Sequence, residues 1–197
     1  DDNGNMAERV DGSGSATFTY DTLDRLKTET GPIRTQTFGY DSTGHRTGDG
    51  PGTFTYLPNS NLIQTLHGQA ISKDAAGNTT NDGNYTYIYN QAGQLGQVKQ
   101  GAVTIADYFY DHQGRRTRKA VGTTTIVYHY DQADHLVAET NGAGTLLRTY
   151  VWRDDTPIAQ IESSTGQDKP YYLEVDTLNT PRTARNDTGA IVWQWYS

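Results

Sequence analysis

The chain contains no cysteine, so neither a disulfide framework nor a thiolate metal site can be built from it. That absence suits the cytosol, and equally a secreted protein that does not rely on oxidation. Long apolar runs are missing too: nothing approaches the roughly 20 residues a membrane-spanning helix needs. The amino terminus lacks the basic-then-apolar pattern of a signal peptide. Clustered positive charge is equally scarce. A net charge of −7 argues against non-specific nucleic-acid binding, which depends on grouped Lys and Arg. The one dense basic group, Arg115, Arg116, Arg118 and Lys119, reads as a solvated strand face rather than a phosphate-binding patch.

Leu, Ile, Val and Phe are few enough that composition alone approaches that of disordered chains. Against this stand 14 Tyr, 3 Trp and 29 Thr, residue types that fit a pleated, half-buried surface and that disordered chains lack. No stretch of ten residues has helical periodicity, and 21 Gly with 6 Pro punctuate the chain too often for long helices. The composition predicts an ordered, all-β, tyrosine-dependent protein.

Internal repeats dominate what is present. Tyr followed by Asp or Asn recurs at Tyr20-Asp21, Tyr40-Asp41, Tyr89-Asn90, Tyr110-Asp111 and Tyr130-Asp131. An aromatic two residues before Tyr110 and Tyr130 puts both rings on one face of a strand. The Asp opens a turn because its carboxylate can accept from the backbone two residues on. Gly44, Gly77, Gly93 and Gly114, each three after the acid or amide, supply a left-handed position. Asp24 and Asp134 occupy that position in two copies, and Asp is among the few side chains that tolerate it. Weaker copies follow Phe54-Thr55-Tyr56 and begin at Asp74. Second connections are expected at Gly31-Pro32, Gly48–Gly52, Asn81–Asn84 and Asn141–Gly144. Copies recur about every 15 to 21 residues, enough for a hairpin and a short connection. The opening Asp1-Asp2-Asn3-Gly4 reads as the turn of a repeat whose strand precedes it, which suggests a segment of a longer polypeptide.

From about Tyr150 the pattern changes. Tyr150–Ile161 reads as two strands around an Asp-Asp-Thr-Pro turn. Asp176-Thr-Leu178-Asn-Thr-Pro181-Arg182 and Asp187-Thr-Gly189-Ala-Ile-Val-Trp193 follow, and Trp193 and Trp195 repeat the aromatic-x-aromatic device. We therefore expect a β-hairpin array over residues 1–149 and a terminal segment, continuous with it, over 150–197.

At these residues the chain resembles the RHS/YD-repeat family of large bacterial surface, toxin and secretion-effector proteins, with teneurins as animal relatives. Tyr40-Asp41-x-x-Gly44-His-Arg46 and Tyr110-Asp111-x-x-Gly114-Arg115 match its unit, and degenerate copies extend the likeness over nearly the whole chain. The segment from Asp176 to Trp193 resembles the one that closes the family's conserved core. Thr177 stands where His is usual, and Asn179 where Gly is frequent. The resemblance implies a spiralling strip of hairpins that curls into a hollow shell and, in bacterial members, encloses or helps deliver a toxic domain. Some members carry a self-cleaving aspartate site after the core. Neither those aspartates nor a toxin domain lies within this sequence, so neither activity is carried over.

Paired carboxylates can hydrolyse glycosides, but aspartates recurring copy after copy at turns read as structural. Asp1–Asn5 and Asn81–Asn84 lack the carboxylate spacing of calcium loops. The five histidines have no metal-ligand spacing, and there is no nucleophile elbow or phosphate loop. We therefore expect no catalytic residue, no metal and no cofactor. Trp152 and Trp193 are candidate glycan contacts, since aromatic rings stack on sugar faces. The same rings more often pack across strands, contributing roughly 0.2–1 kcal/mol per pair.

The expected fold is all-β: a curved, spiralling sheet of consecutive antiparallel hairpins. Its end strands would leave unpaired backbone, so the expected partners are flanking repeats or other copies of the chain, with a toxin cargo or a cell-surface glycan beyond them. The leading function is a non-catalytic segment of a secreted or surface-delivered bacterial toxin shell. A self-assembling extracellular fibre or scaffold, and a carbohydrate-binding module, are the alternatives.

Overall fold

A computed structural model describes residues 1–11, 14–50, 52–163 and 165–195. Pro51, inside the connection expected at Gly48–Gly52, and Tyr196 and Ser197 lie outside the described residues. Two compact units divide the chain, Asp1–Tyr87 and Ile88–Ser197. The described residues form strands and turns, with no helix among them.

The first unit holds β1 (Glu8–Asp11), β2 (Gly14–Tyr20), β3 (Leu26–Thr30), β4 (Thr35–Thr37), β5 (Gly39–Tyr40), β6 (Arg46–Gly48), β7 (Phe54–Tyr56), β8 (Ile63–Leu66), β9 (Gln69–Ala70), β10 (Ser72–Lys73) and β11 (Thr79–Asn81). Next is β12 (Thr86–Tyr89), which contains the division. The second unit holds β13 (Leu95–Gln100), β14 (Val103–Tyr110), β15 (Arg116–Val121), β16 (Thr124–Tyr130), β17 (Leu136–Asn141), β18 (Leu146–Arg153), β19 (Thr156–Glu162), β20 (Lys169–Val175), β21 (Pro181–Arg185) and β22 (Ile191–Gln194).

The strands form four antiparallel sheets, β1–β4, β5–β6, β7–β9 and a thirteen-stranded one from β10 to β22, and within each sheet every strand lies beside its neighbour in the chain. Strictly sequential pairing follows from loops too short for any crossover. The early interruptions are nicks. Only Phe38 separates β4 from β5, and its N–H still donates to the Lys27 carbonyl at 2.8 Å; a Gly48–Thr53 bridge links β6 to β7. Gly31 is needed where its turn crosses β2, because a Cβ there would lie 2.8 Å from that of Ala16.

One irregularity recurs in register. A bulge precedes the final aromatic in β2, β5, β7, β14, β16 and β18, so that Tyr20 faces Leu26, Tyr40 faces Arg46, Tyr56 faces Ile63, Tyr110 faces Arg116, Tyr130 faces Leu136 and Trp152 faces Pro157. Bulges leave one residue out of the ladder and turn the strand. The Asp-Asp-Thr-Pro turn expected after Trp152 is shorter than anticipated. Only Asp154 and Asp155 lie between strands, while Thr156 and Pro157 already belong to β19. Asp154 takes the left-handed conformation (φ 50°) that a two-residue hairpin loop demands.

Among the described residues no large side chain is fully buried, and the buried apolar ones are Ala16, Ala106, Pro157, Ala159 and Ala184. Substantial packing joins only consecutive strands. Stability must therefore come from lateral contacts along a sheet rather than from a core between layers.

Candidate functional site

The unit of the site is the turn. At Asp41 the carboxylate Oδ1 accepts the N–H of Thr43 (2.9 Å) and of His45 (2.8 Å), while the Gly44 N–H donates to the Asp41 carbonyl (3.2 Å). The same pair of bonds to Oδ1 forms at Asp1, Asp21, Asp74, Asp111, Asp131 and Asp176. It forms at Asn90, Asn141 and Asn186 as well, so the turn needs a side-chain carbonyl oxygen, not a charge. The third residue on is left-handed throughout: Gly44 (φ 90°), Gly93 (75°), Gly114 (86°) and Gly189 (81°), with Asp24 (59°), Asp134 (69°) and Asn179 (59°) as substitutes. The Thr43 hydroxyl, then the His45 N–H, hold the Asp41 carboxyl down to about 2.

At five turns the preceding tyrosine ties its repeat to the previous one. The Tyr20 hydroxyl donates to the Met6 carbonyl, Tyr40 to Leu26 and Tyr130 to Arg116, each at 2.9 Å and fourteen residues upstream. Tyr110 reaches Leu95 at 2.9 Å and Tyr56 reaches Arg46 at 2.7 Å. In the last copy indole replaces phenol, and Trp152 Nε1 donates to the Leu136 carbonyl at 2.9 Å. Leu26, Arg46, Arg116 and Leu136 each lie beside a bulge, where the ladder leaves backbone groups to be satisfied otherwise.

A second tie starts four residues after the acid. Arg25 Nε bonds Asp21 Oδ2 (2.7 Å) while its guanidinium lies 4.5 Å over the Tyr40 ring. Arg115 grips Asp111 (2.8 Å), lies 4.9 Å over Tyr130 and reaches Asp134 Oδ1 (2.6 Å). Histidine does the same elsewhere. His45 contacts Asp41 (3.1 Å) and Asn61 (2.6 Å) and stacks on Tyr56 at 4.5 Å. His135 contacts Asp131 and Asp155 (3.1 Å each) and stacks on Trp152 at 4.5 Å. With an oxygen at both ring nitrogens, the imidazolium is favoured. His45 is raised above its usual value chiefly by Asn61 and then Asp41, and His135 chiefly by Asp155 and then Asp131. Arg182, six residues after its acid rather than four, makes a similar tie, 2.9 Å from Asp176 and 4.4 Å over Trp195.

In the basic group near Arg115, Arg116 and Arg118 are exposed, yet both lie over aromatic rings of the sheet. Arg116 lies between Tyr108 (5.7 Å) and Tyr128 (4.9 Å), and Arg118 covers Phe109 at 3.7 Å. These arginines are occupied by cation–π contacts within the sheet.

The second unit carries a concave surface of about 770 Å³ on one face of β18–β22. Two cross-strand rows build it. Tyr150, Gln160 and Tyr171 are register partners across β18, β19 and β20; Leu173, Ala184 and Trp193 are partners across β20, β21 and β22. The small Ala184 between two large side chains makes the hollow. Trp152 lines one side, and Arg148 stands at one end. Arg148 is neutralised by buried Glu139 (3.1 Å) and by Glu162 (2.8 Å), and the Tyr150 hydroxyl donates to Glu139 (2.8 Å). Burial, then the Glu139 carboxylate, push that hydroxyl far above its usual range.

The structure thus places Tyr20, Tyr40, Tyr110 and Tyr130 in the ties, and Asp21, Asp41, Asn90, Asp111, Asp131, Gly44, Gly93 and Gly114 in the turns. Tyr89 ends β12 and Asn90 opens its turn. Of the core-end residues, Asp176 and Arg182 pair, Leu178 tops the turn almost fully exposed, Pro181 faces Val175 and Gly189 is left-handed. Trp152 and Trp193, distant in sequence, line one hollow. Sequence reading missed the Arg and His ties, although a basic residue four after the acid was there to be seen. The Glu139–Arg148–Tyr150 group has no local signature.

Repeated antiparallel hairpins, six of them lashed to the one before through an aromatic side chain, define a YD-repeat β-strip. The profile of the Teneurin YD-shell family matches residues 4–196, and the chain belongs to that family. Among solved structures, the Photorhabdus luminescens Tc holotoxin pore with a TccC3 point mutation aligns over 92% of this chain and 11% of its own at 18% identity, with a TM-score of 0.65. TcdB2-TccC3 aligns over 91% and 12% at 18% identity (TM-score 0.62), and TcdB2-TccC3 without its hypervariable C-terminal region over 92% and 12% at 17% (TM-score 0.59). The chain therefore shares their fold while spanning about an eighth or less of their length. No curated protein matches.

Proposed function

We propose that this chain is a non-catalytic wall segment of a β-shell that encloses or delivers a protein cargo. The observation that carries this reading is the recurring tie from an aromatic to a carbonyl of the preceding repeat, a device for holding neighbouring hairpins in fixed register along a wall. The turn carboxylates suit it better than they suit catalysis, since Asn makes the same bonds at three turns. Family membership and the fold shared with toxin-complex chains support a toxin cargo, a secreted or surface location and a bacterial source. Flanking repeats, paired through edge strands, are the other partners of the proposal. The division into an array over 1–149 and a terminal segment over 150–197 belongs to it too; the exchange of Tyr for Trp at position 152 supports that boundary.

Negative-stain electron microscopy of the natively isolated polypeptide that carries this chain is the test. Closed hollow particles are the expected result. Continuous filaments of one repeating subunit would overturn the shell reading and make self-assembly the function.

A further inference from the structure

Asn-x-Ser/Thr, the acceptor pattern of N-linked glycosylation, occurs at Asn78-Thr79-Thr80, Asn84-Tyr85-Thr86 and Asn186-Asp187-Thr188. We infer, on the bacterial source and the secreted or surface location proposed above, that Asn84 alone of the three is a glycosylation site.

The residues upstream already separate them. Bacterial transferases of this class ask in addition for an acid at the second position before the Asn. Asn84 has Asp82 there, whereas Asn78 has Ala76 and Asn186 has Ala184.

What each carboxamide does in the fold separates them again. Asn78 Nδ2, the atom that would take the sugar, donates to Asp74 Oδ2 at 3.0 Å inside an acidic turn. Asn186 Oδ1 accepts the N–H groups of Thr188 and Ala190, and the Thr188 hydroxyl at 2.8 Å. That hydroxyl is spent on its own Asn, so a transferase reads it only by breaking the turn. The Asn84 side chain is exposed and has no hydrogen-bond partner among the described residues. Thr86 accepts from Asn81 Nδ2 at 3.2 Å and keeps its own hydrogen to donate.

The backbone favours the same site. A folded acceptor has to lift its loop into the groove of the transferase. β11 and β12 meet at a single register pair, Asn81 with Thr86, so little of the ladder opposes that opening. Asp82 shapes the loop by accepting the N–H groups of Asn84 (2.9 Å) and Tyr85 (2.7 Å), and Gly83 bends it through a left-handed φ of 93°. The exposed carboxamide therefore stands on a short, loosely paired bend.

In the transfer, the Asn84 nitrogen bonds the anomeric carbon of a polyprenyl-diphosphate-linked oligosaccharide. The bond from that carbon to the diphosphate oxygen breaks, and the diphosphate leaves with the electron pair. The carboxamide gives up one proton, and nothing is oxidised or reduced.

The test uses the folded polypeptide that carries this chain, made in cells without a glycosylation pathway. It is incubated with a purified bacterial oligosaccharyltransferase and such a donor, and its peptides are mapped by mass spectrometry. We expect the peptide containing Asn84 to gain the oligosaccharide mass and those containing Asn78 and Asn186 to stay unchanged. Asn84→Gln and Thr86→Val should each abolish the gain, with thermal melting to check that the fold is kept. Transfer to Asn78 or Asn186, transfer to Asn84 only after denaturation, or transfer that survives either substitution would overturn the inference. So would an unmodified Asn84 in the polypeptide isolated from its own cells. Whether the isolated particles are hollow depends on none of these outcomes, so the shell reading stands or falls separately.

Discussion

Replacing Tyr110 by Phe isolates one tie between repeats. The substitution removes the hydroxyl that donates to the Leu95 carbonyl at 2.9 Å and leaves the ring in place. Tyr110 suits the purpose because the preceding repeat carries Gln94 where others carry Arg or His. Gln94 bonds the Gly114 carbonyl at 3.1 Å, so no cation over the ring confounds the result. A neutral hydrogen bond contributes about 0.5–1.5 kcal/mol net, and a stranded buried carbonyl costs more. Leu95 is half-buried, so water can partly replace the phenol and about 1 kcal/mol is expected. In a chain of this size that lowers Tm by about 2–4 °C. Urea denaturation followed by circular dichroism measures it. Tyr172→Phe is the control, since that side chain is 53% exposed and its hydroxyl has no partner among the described residues. Sites well separated in the structure add, so Phe at 20, 40, 110 and 130 together should cost about 4 kcal/mol, a large share of an ordinary domain's stability. A Tyr110→Phe variant indistinguishable from Tyr172→Phe would refute the idea that the hydroxyls hold the repeats together.

Three further outcomes follow from the same geometry. Gly93 is left-handed (φ 75°) with open space where a Cβ would go, so Gly93→Ala should cost about 1 kcal/mol or slightly more from backbone strain. Gly93→Asp should cost less, because Asp24 and Asp134 already occupy that position; comparative melting decides. Arg118→Ala removes a guanidinium 3.7 Å from the Phe109 centroid and should destabilise by about 0.5–1 kcal/mol, a loss that Arg118→Lys partly restores. Stability should also pass through a maximum with pH. The raised His45 and His135 add stability that is complete below their ordinary value of 6.5 and fades as pH rises through their folded values. The lowered turn aspartates add stability that is complete above 3.8 and fades as pH falls, for Asp41 towards about 2. Melting at a series of pH values should show both slopes, and a His45→Gln, His135→Gln double variant should lose the alkaline one.

The sequence by itself determined the hairpins, because what makes them is local. An acid or amide, two spacers and a residue that tolerates positive φ close a turn whatever lies elsewhere, and alternation decides which side chains share a face. Asn141 and Asn186, which sequence reading gave no place in that rule, obey it as fully as Asp41. The tertiary structure decided what the side chains reach. The Tyr130 hydroxyl finds a carbonyl fourteen residues back only because a bulge in each hairpin shifts the register by one. Side-chain direction reverses with every residue of register, so no reading of Trp152 and Trp193 alone could tell that they line one hollow. Three whole strands, the turns that join them and three bulges lie between those two positions, and each contributes to the answer.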